Sequence, residues 1–171
     1  MPIHLENSFA DELPGFYQDC RPVPSPAPEL VYFNARLATD LGLDIEAMSD
    51  SDLALLLAGN KLPVTSHPIA QVYAGHQFGQ FNPQLGDGRA LIIGELQDAH
   101  QRRVDLCLKG SGQTPYSRGG DGRAALGPML REVLIAEAMH ALGIPTTRSL
   151  AVIKTGEDVY RDQPEPVGLD N

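Results

Sequence analysis

"LCLKGSGQTPYSRGGDGRAALGPMLRE", residues 106–132, is the stretch whose reading decides the fold. An apolar run ends at Lys109, and six glycines and three arginines follow within the stretch as it passes into a helical pattern. Glycine is entropically costly to order, so a glycine-rich segment with little apolar filling is not explained by packing and reads as backbone brought close to a ligand. Just upstream, "RVDLCLK" alternates: Val104, Leu106 and Leu108 face a core, while Asp105, Cys107 and Lys109 face the other way. Downstream, "GPMLREVLIAEAMHALGIP" predicts the strongest helix of the chain, with Pro128 in its first turn, Gly143 at its C-terminal cap and Pro145 as its stop.

Working outward, "ALIIGEL" predicts a buried strand, "NPQLGDGRA" a turn cluster, "QDAHQR" a polar turn and "TTRSLAVIK" a further strand, followed by a turn at "TGED" and a short "VYR". The connections between residues 81 and 109 are too short for parallel crossovers, so the fold class is α+β with antiparallel neighbours and one main helix. Toward the N-terminus, "CRPVPSPAPEL" carries proline at every second position from Pro22 to Pro28, which reads as an extended surface strap and linker. Two short helices follow, one capped by Asn34 and stopped by Gly42, the other capped by Ser49 or Ser51 and ended at Gly59-Asn60. The expected division is an N-terminal extension over 1–68 and a second unit over 69–171.

The chain has 171 residues, 42% of them hydrophobic, enough for one domain with a real core. No run is long enough to span a membrane, the acidic N-terminus does not read as a signal peptide, and Cys20 and Cys107 do not make a disulfide framework; the expectation is a cytoplasmic protein with two free thiols and no membrane partner. A net charge of −9 argues against nucleic acid as a partner. The charge is uneven, however. Lys109, Arg118, Arg123 and Arg131 against Asp121 give the 109–131 segment a net +3 and leave −12 elsewhere, a local cationic island suited to a small polyanion.

"GDGRA" occurs twice, at 86–90 and at 120–124. Each copy reads as a tight turn whose exposed N–H groups form an anion nest beside an arginine fork, and two nests with Lys109 suit a polyphosphate. Other readings fit less well. The GxGxxA pattern at 120 starts too far past its strand for a dinucleotide fold, no GxxxxGK[ST] is present, Ser111 is not in a GxSxG elbow, and His67 and His76 lack metal-ligand spacing. A strand lysine followed by a helix glutamate matches the ion pair that positions ATP in kinases. Helical periodicity sets Glu137 among Leu130, Val133, Leu134 and Ala141 and selects it as the buried partner of Lys109 over Glu132.

"YAGHQFGQFNPQLGDGRALIIGE", "LKGSGQTPYSRGGDGRAALGPMLRE" and "EAMHALGIPTTRSLAV" closely resemble the selenoprotein O family, and "ELPGFY" and "NARLATDLGLD" fit its N-terminal part. The resemblance covers roughly residues 8–162. It implies a protein-kinase-like small lobe, an antiparallel sheet plus one main helix, with an N-terminal helical extension and the large lobe missing. It also implies transfer of AMP from ATP to Ser, Thr or Tyr hydroxyls of protein substrates, with Mg²⁺ or Mn²⁺. Carried over by motif, the nucleotide contacts are Gly86, Gly88, Arg89, Lys109, Asp121 and Gly122, and the ion-pair glutamate is Glu132, with Glu137 in reserve. The family's catalytic base and metal ligands fall past Asn171, so neither is expected within these residues, and 163–171 depart from the pattern as a cut or frameshifted end would. The alternatives are a non-catalytic nucleotide-binding pseudokinase module or remnant, and a conventional protein kinase, which the lack of a GxGxxG loop before Lys109 disfavours.

Overall fold

The computed structural model of the chain describes residues 3–45 and 48–160. In chain order the elements are α1 (Ser8–Glu12), β1 (Tyr17–Asp19), β2 (Glu29–Phe33), α2 (Ala35–Asp40), α3 (Asp50–Leu57), β3 (Ile69–Gln71), β4 (Gly75–Gln77), β5 (Gln80–Asn82), β6 (Ala90–Gln97), β7 (Arg103–Lys109), α4 (Leu126–Ala141) and β8 (Ala151–Lys154). The fold is α+β, and every strand pairing is antiparallel. A four-stranded sheet runs β1-β3-β6-β7, β2 pairs with β8 in a second sheet, and β4-β5 form a small hairpin.

Local chemistry explains the elements that periodicity predicted. Asn34 caps α2 by accepting the Leu37 N–H at 3.0 Å, and Ser49 caps α3 by accepting the Asp52 N–H at 3.2 Å, which resolves the choice between Ser49 and Ser51. Along β7 the half-buried Val104, Leu106 and Leu108 join the main core of Leu5, Leu37, Leu53, Leu56, Ile93, Leu96 and Leu150, while Arg103, Asp105, Cys107 and Lys109 are exposed. The β6–β7 hairpin sets the register that matters below, with Ala90 opposite Lys109 and Leu91 opposite Leu108.

Three expectations change. The proline strap is not a free linker: Val23 N–H donates to Ser111 O at 2.9 Å, Ala27 N–H to Thr155 O at 3.0 Å, and Asn60 exchanges two hydrogen bonds with the backbone of buried Ser25. The N–H groups of Val23, Ser25 and Ala27, which alternate with the prolines, are thus all taken up by other segments. The strand predicted over "TTRSLAVIK" is confined to Ala151–Lys154, because Arg148 is drawn to carboxylates on neighbouring helices. In "VYR", Val159 and Tyr160 are not strand, and Arg161 lies outside the described residues. Residues on either side of position 68 share the same sheets, with β1 pairing β3 and β2 pairing β8.

The N-terminal segment is held by a buried carboxylate. Glu95, 3% exposed on β6, accepts from the Ser8 hydroxyl at 2.5 Å and from the Ser8 and Phe9 amides at 3.2 and 2.9 Å, so it binds the first turn of α1. Arg103 lies 3.6 Å away. Burial raises the Glu95 pKa, but the Ser8 hydroxyl, the two amides and Arg103 outweigh it and hold the carboxyl below its ordinary value. A depressed carboxyl stabilises the fold fully above its unfolded pKa, about 4.3, and that stabilisation disappears as pH falls through the lower folded value. Glu95→Gln is expected to lower unfolding free energy at pH 7 by about 1–3 kcal/mol, with the gap to wild type closing below about pH 4, as read by urea unfolding across pH.

Candidate functional site

Gly86, Gly88, Arg89, Lys109, Asp121, Gly122 and Glu132 all line one broad open cleft. At about 2040 Å³ it exceeds what a small ligand fills, because it also runs along β7 and β8, edge strands of separate sheets. The site's geometry rests on an interlock between the turn at 86–89 and the loop at 110–123. The Tyr116 ring lies under Gly86, where an added Cβ would come within 2.5 Å of it. Thr114 Oγ1 donates to the Asp87 carbonyl at 2.5 Å, and Ser117 Oγ donates to the Gly88 carbonyl at 2.6 Å. Within the long loop, Ser111 bridges Arg123, and Gly122 passes so close to Gly112 that a Cβ would overlap the Gly112 carbonyl oxygen.

This corrects the reading of the glycines. Packing of loop against loop does require several of them, and "TPYS", which carried no signal in the sequence, is the clasp. The anion nests are corrected as well. In the first turn the Asp87 N–H is committed to Gln71 O at 2.9 Å, and in the second the Arg123 N–H is committed to the Asp121 carboxylate at 2.9 Å. Neither pentapeptide offers an unbroken row of donors.

The two arginines part company too. Arg123, 13% exposed, meets Glu157 at 2.5 Å. The other cations of the cleft are also engaged: Arg102 with Asp98, Arg103 with Glu95, Lys109 with Glu132, Arg148 with Glu137, Lys154 with Glu29, and Arg118 with the Gln77 amide oxygen at 3.4 Å. Arg89 is exposed and is the only cleft cation without a hydrogen bond or ion pair from its side chain among the described residues. Its carbonyl accepts the Gly110 N–H at 2.7 Å, which sets it beside the end of the lysine strand.

Lys109 Nζ lies 2.8 and 2.7 Å from the two oxygens of Glu132. Glu137, the choice from periodicity, is instead bound by Arg148, with Nε and Nη2 donating at 2.9 and 2.7 Å. The error came from the assumption that the apolar stripe of the helix faces the sheet. Leu130 and Leu134 are exposed, and α4 buries Val133 and Ala136. Cys107, reached by solvent at the cleft wall, has its thiol pushed up to about 12 by desolvation and by the Asp105 and Asp87 carboxylates, so it stays protonated. Asp87 accepts from Gln71 N–H and from the Tyr73 hydroxyl and serves the turn.

One cleft thus holds an arginine with no side-chain partner among the described residues and a glutamate-paired lysine, cations of the kind that anionic groups bind. Residues 1–168 match the family model described as "Protein adenylyltransferase SelO", and the chain belongs to that family. The match runs past residue 162, where the motif resemblance stopped. Curated relatives named "Protein nucleotidyltransferase YdiU" include one from Cereibacter sphaeroides, 56% identical over 98% of this chain and 35% of its own length. Another, from Mycolicibacterium smegmatis, is 56% identical over 96% of this chain and 34% of its own length. A third, from Nitrosococcus oceani, is 60% identical over 93% and 32%. The chain thus spans about a third of the length of these relatives.

Gly122→Ala is expected to cost at least about 2 kcal/mol, from a left-handed φ of 65° and the overlap with Gly112, and to raise amide exchange across 110–123.

Proposed function

We propose that this chain carries the nucleotide-binding part of a protein adenylyltransferase with a kinase-like small lobe. It binds ATP, and in a protein of the relatives' length it takes part in moving AMP to Ser, Thr or Tyr hydroxyls of protein substrates. The observation that carries the reading is that Arg89, with no side-chain partner among the described residues, lines the same cleft as the Lys109–Glu132 pair in an otherwise acidic chain of net charge −9. A cation left without a protein partner at a cleft wall is available to a phosphate, and Glu132 holds the lysine ammonium in place for a second one. Attack of a hydroxyl at the α-phosphorus displaces pyrophosphate, and charge builds on the phosphate oxygens; Arg89 and Lys109 offset it.

The family resemblance implies Mg²⁺ or Mn²⁺, which would add further neutralisation of the phosphates when bound with ATP. Among the described residues no three His, Cys, Asp or Glu side chains come together as a metal cluster. The resemblance assigns the proton-accepting carboxylate to a segment past Asn171. This chain alone is therefore expected to bind ATP without transferring AMP. A cytoplasmic location fits the two free thiols, and among the described residues no helix is long and apolar enough to cross a membrane.

Calorimetric titration of the chain with MgATP tests the reading. Arg89→Ala and Lys109→Ala should each weaken binding by about 10- to 100-fold, the scale of a charge-assisted hydrogen bond. No ATP binding by the wild type would overturn it. In a protein of the relatives' length, label should reach target proteins from α-labelled ATP and not from γ-labelled ATP; the reverse would establish a kinase, and neither label a binding module.

A further inference from the structure

The helix that carries Glu132 is thinly attached. Over its 16 residues α4 buries only Val133 and Ala136, and Leu130, Leu134 and Ile135 are 39%, 69% and 58% exposed. Among the described residues its covered apolar line is narrow, with half-buried Met129 and Met139 flanking Val133 and Ala136, so apolar packing fixes its roll only weakly. Lys109 and Glu132 are themselves 44% and 50% exposed, and an ion pair so open to water holds a helix only weakly.

The second attachment is stronger and better shielded. Arg148, in the connection between α4 and β8, is 14% exposed and grips Glu137 through two parallel hydrogen bonds. It also lies 3.7 Å from Asp40, the last residue of α2. Asn34, the α2 cap, faces the same carboxylate and donates its N–H to the Leu150 carbonyl beside β8 at 2.8 Å. The charged and titratable groups around the pair are thus His140 from the same helix and the Asn34 amide facing Glu137, with Asp40 and Tyr32 from the N-terminal extension facing Arg148. Glu132 and Glu137 are five residues apart, about 140° around the helix and about 7.5 Å along it. Two pairs so placed, one on β7 and one on the α2–β8 side, fix both roll and height.

We propose that Arg148 is a positioning residue for the Lys109–Glu132 pair: by gripping Glu137 against α2 and β8 it sets the roll of α4, and so decides that Glu132 and not Glu137 meets Lys109. Without Arg148, Glu137 is a released carboxylate on a helix free to turn, and it competes for the same lysine. The consequence for ATP rests on the function proposed above; the coupling between the two ion pairs does not.

The test uses the 171-residue chain and two readouts. The chain has three lysines, Lys61, Lys109 and Lys154, so side-chain ammonium signals in ¹⁵N NMR are assignable by single substitution. Glu132→Gln defines the Lys109 signal of the broken pair. Arg148→Ala should move the Lys109 signal away from its wild-type position while Lys61 stays in place, and Glu137→Gln, which keeps the Arg148–Asp40 contact, should move it in the same direction by less. The milder variant decides the matter if Arg148→Ala does not fold. A Lys109 signal unchanged in the folded variants overturns the proposal. In MgATP titrations, Arg148→Ala should lose about as much affinity as Glu132→Gln, and the double variant no more than either, whereas additive losses overturn the coupling. If the wild type binds no ATP, the proposed function fails, and the NMR signal alone decides on Arg148.

Discussion

The candidate site depends on one close approach. The turn at Gly86–Arg89 and the loop that follows Lys109 are pressed together around Tyr116, with two hydroxyls closing on the turn's carbonyls and Gly122 lying against the Gly112 backbone. Tyr116 is buried with Ala70 and Leu91, so the clasp is anchored in the sheet and is not a surface crossing of loops. Arg89 leaves the turn at a fixed point because its neighbours cannot move apart without exposing that ring. Loops that carry function are positioned by a rigid scaffold, and here part of the scaffold is another loop.

Electrostatics then sorts residues that look alike. Two identical pentapeptides each carry an arginine, yet one guanidinium meets Glu157 and the other has no side-chain partner among the described residues. In a chain with 22 acidic and 13 basic side chains, every other lysine and arginine that lines the cleft has a side-chain partner among the described residues. The exception is informative for that reason. The same logic separates the glutamates of α4, where Glu137 is shielded and twice hydrogen-bonded while Glu132 stays open to water beside Lys109. The weaker, wetter pair is the one that a ligand can share.

The N-terminal segments are as much a part of this arrangement as the strands that bear the motifs. Leu5 packs on Gly94, Glu95 holds the start of α1, the proline strap donates to Ser111, and α2 supplies Asp40 and Asn34 to the Arg148 cluster. The relatives share these segments at 56–60% identity over nearly the whole of this chain. The main core draws on residues from Ile3 to Leu150 and takes in Val104, Leu106 and Leu108, so the lysine strand packs in company with what precedes it.

Much was legible in the residues themselves. Asn34 and Ser49 caps, the alternation of "RVDLCLK" and the glycine and prolines around α4 act over three or four residues, so local chemistry determined where elements begin, end and turn. The clustering of Gly86, Arg89, Lys109 and Asp121 followed from motif resemblance, and all of them line one cleft. The resemblance named Glu132 as the partner of Lys109, but local periodicity could not announce partnership. Which glutamate met Lys109, which arginine was left unpaired, and why the glycines were needed all depended on groups far apart in sequence: Arg148 with Asp40, Arg123 with Glu157, Tyr116 with Gly86. Periodicity names the apolar stripe of a helix, but it does not say which side a sheet covers. Only the tertiary structure decided that, because burial and ion pairing are properties of what is nearby in space.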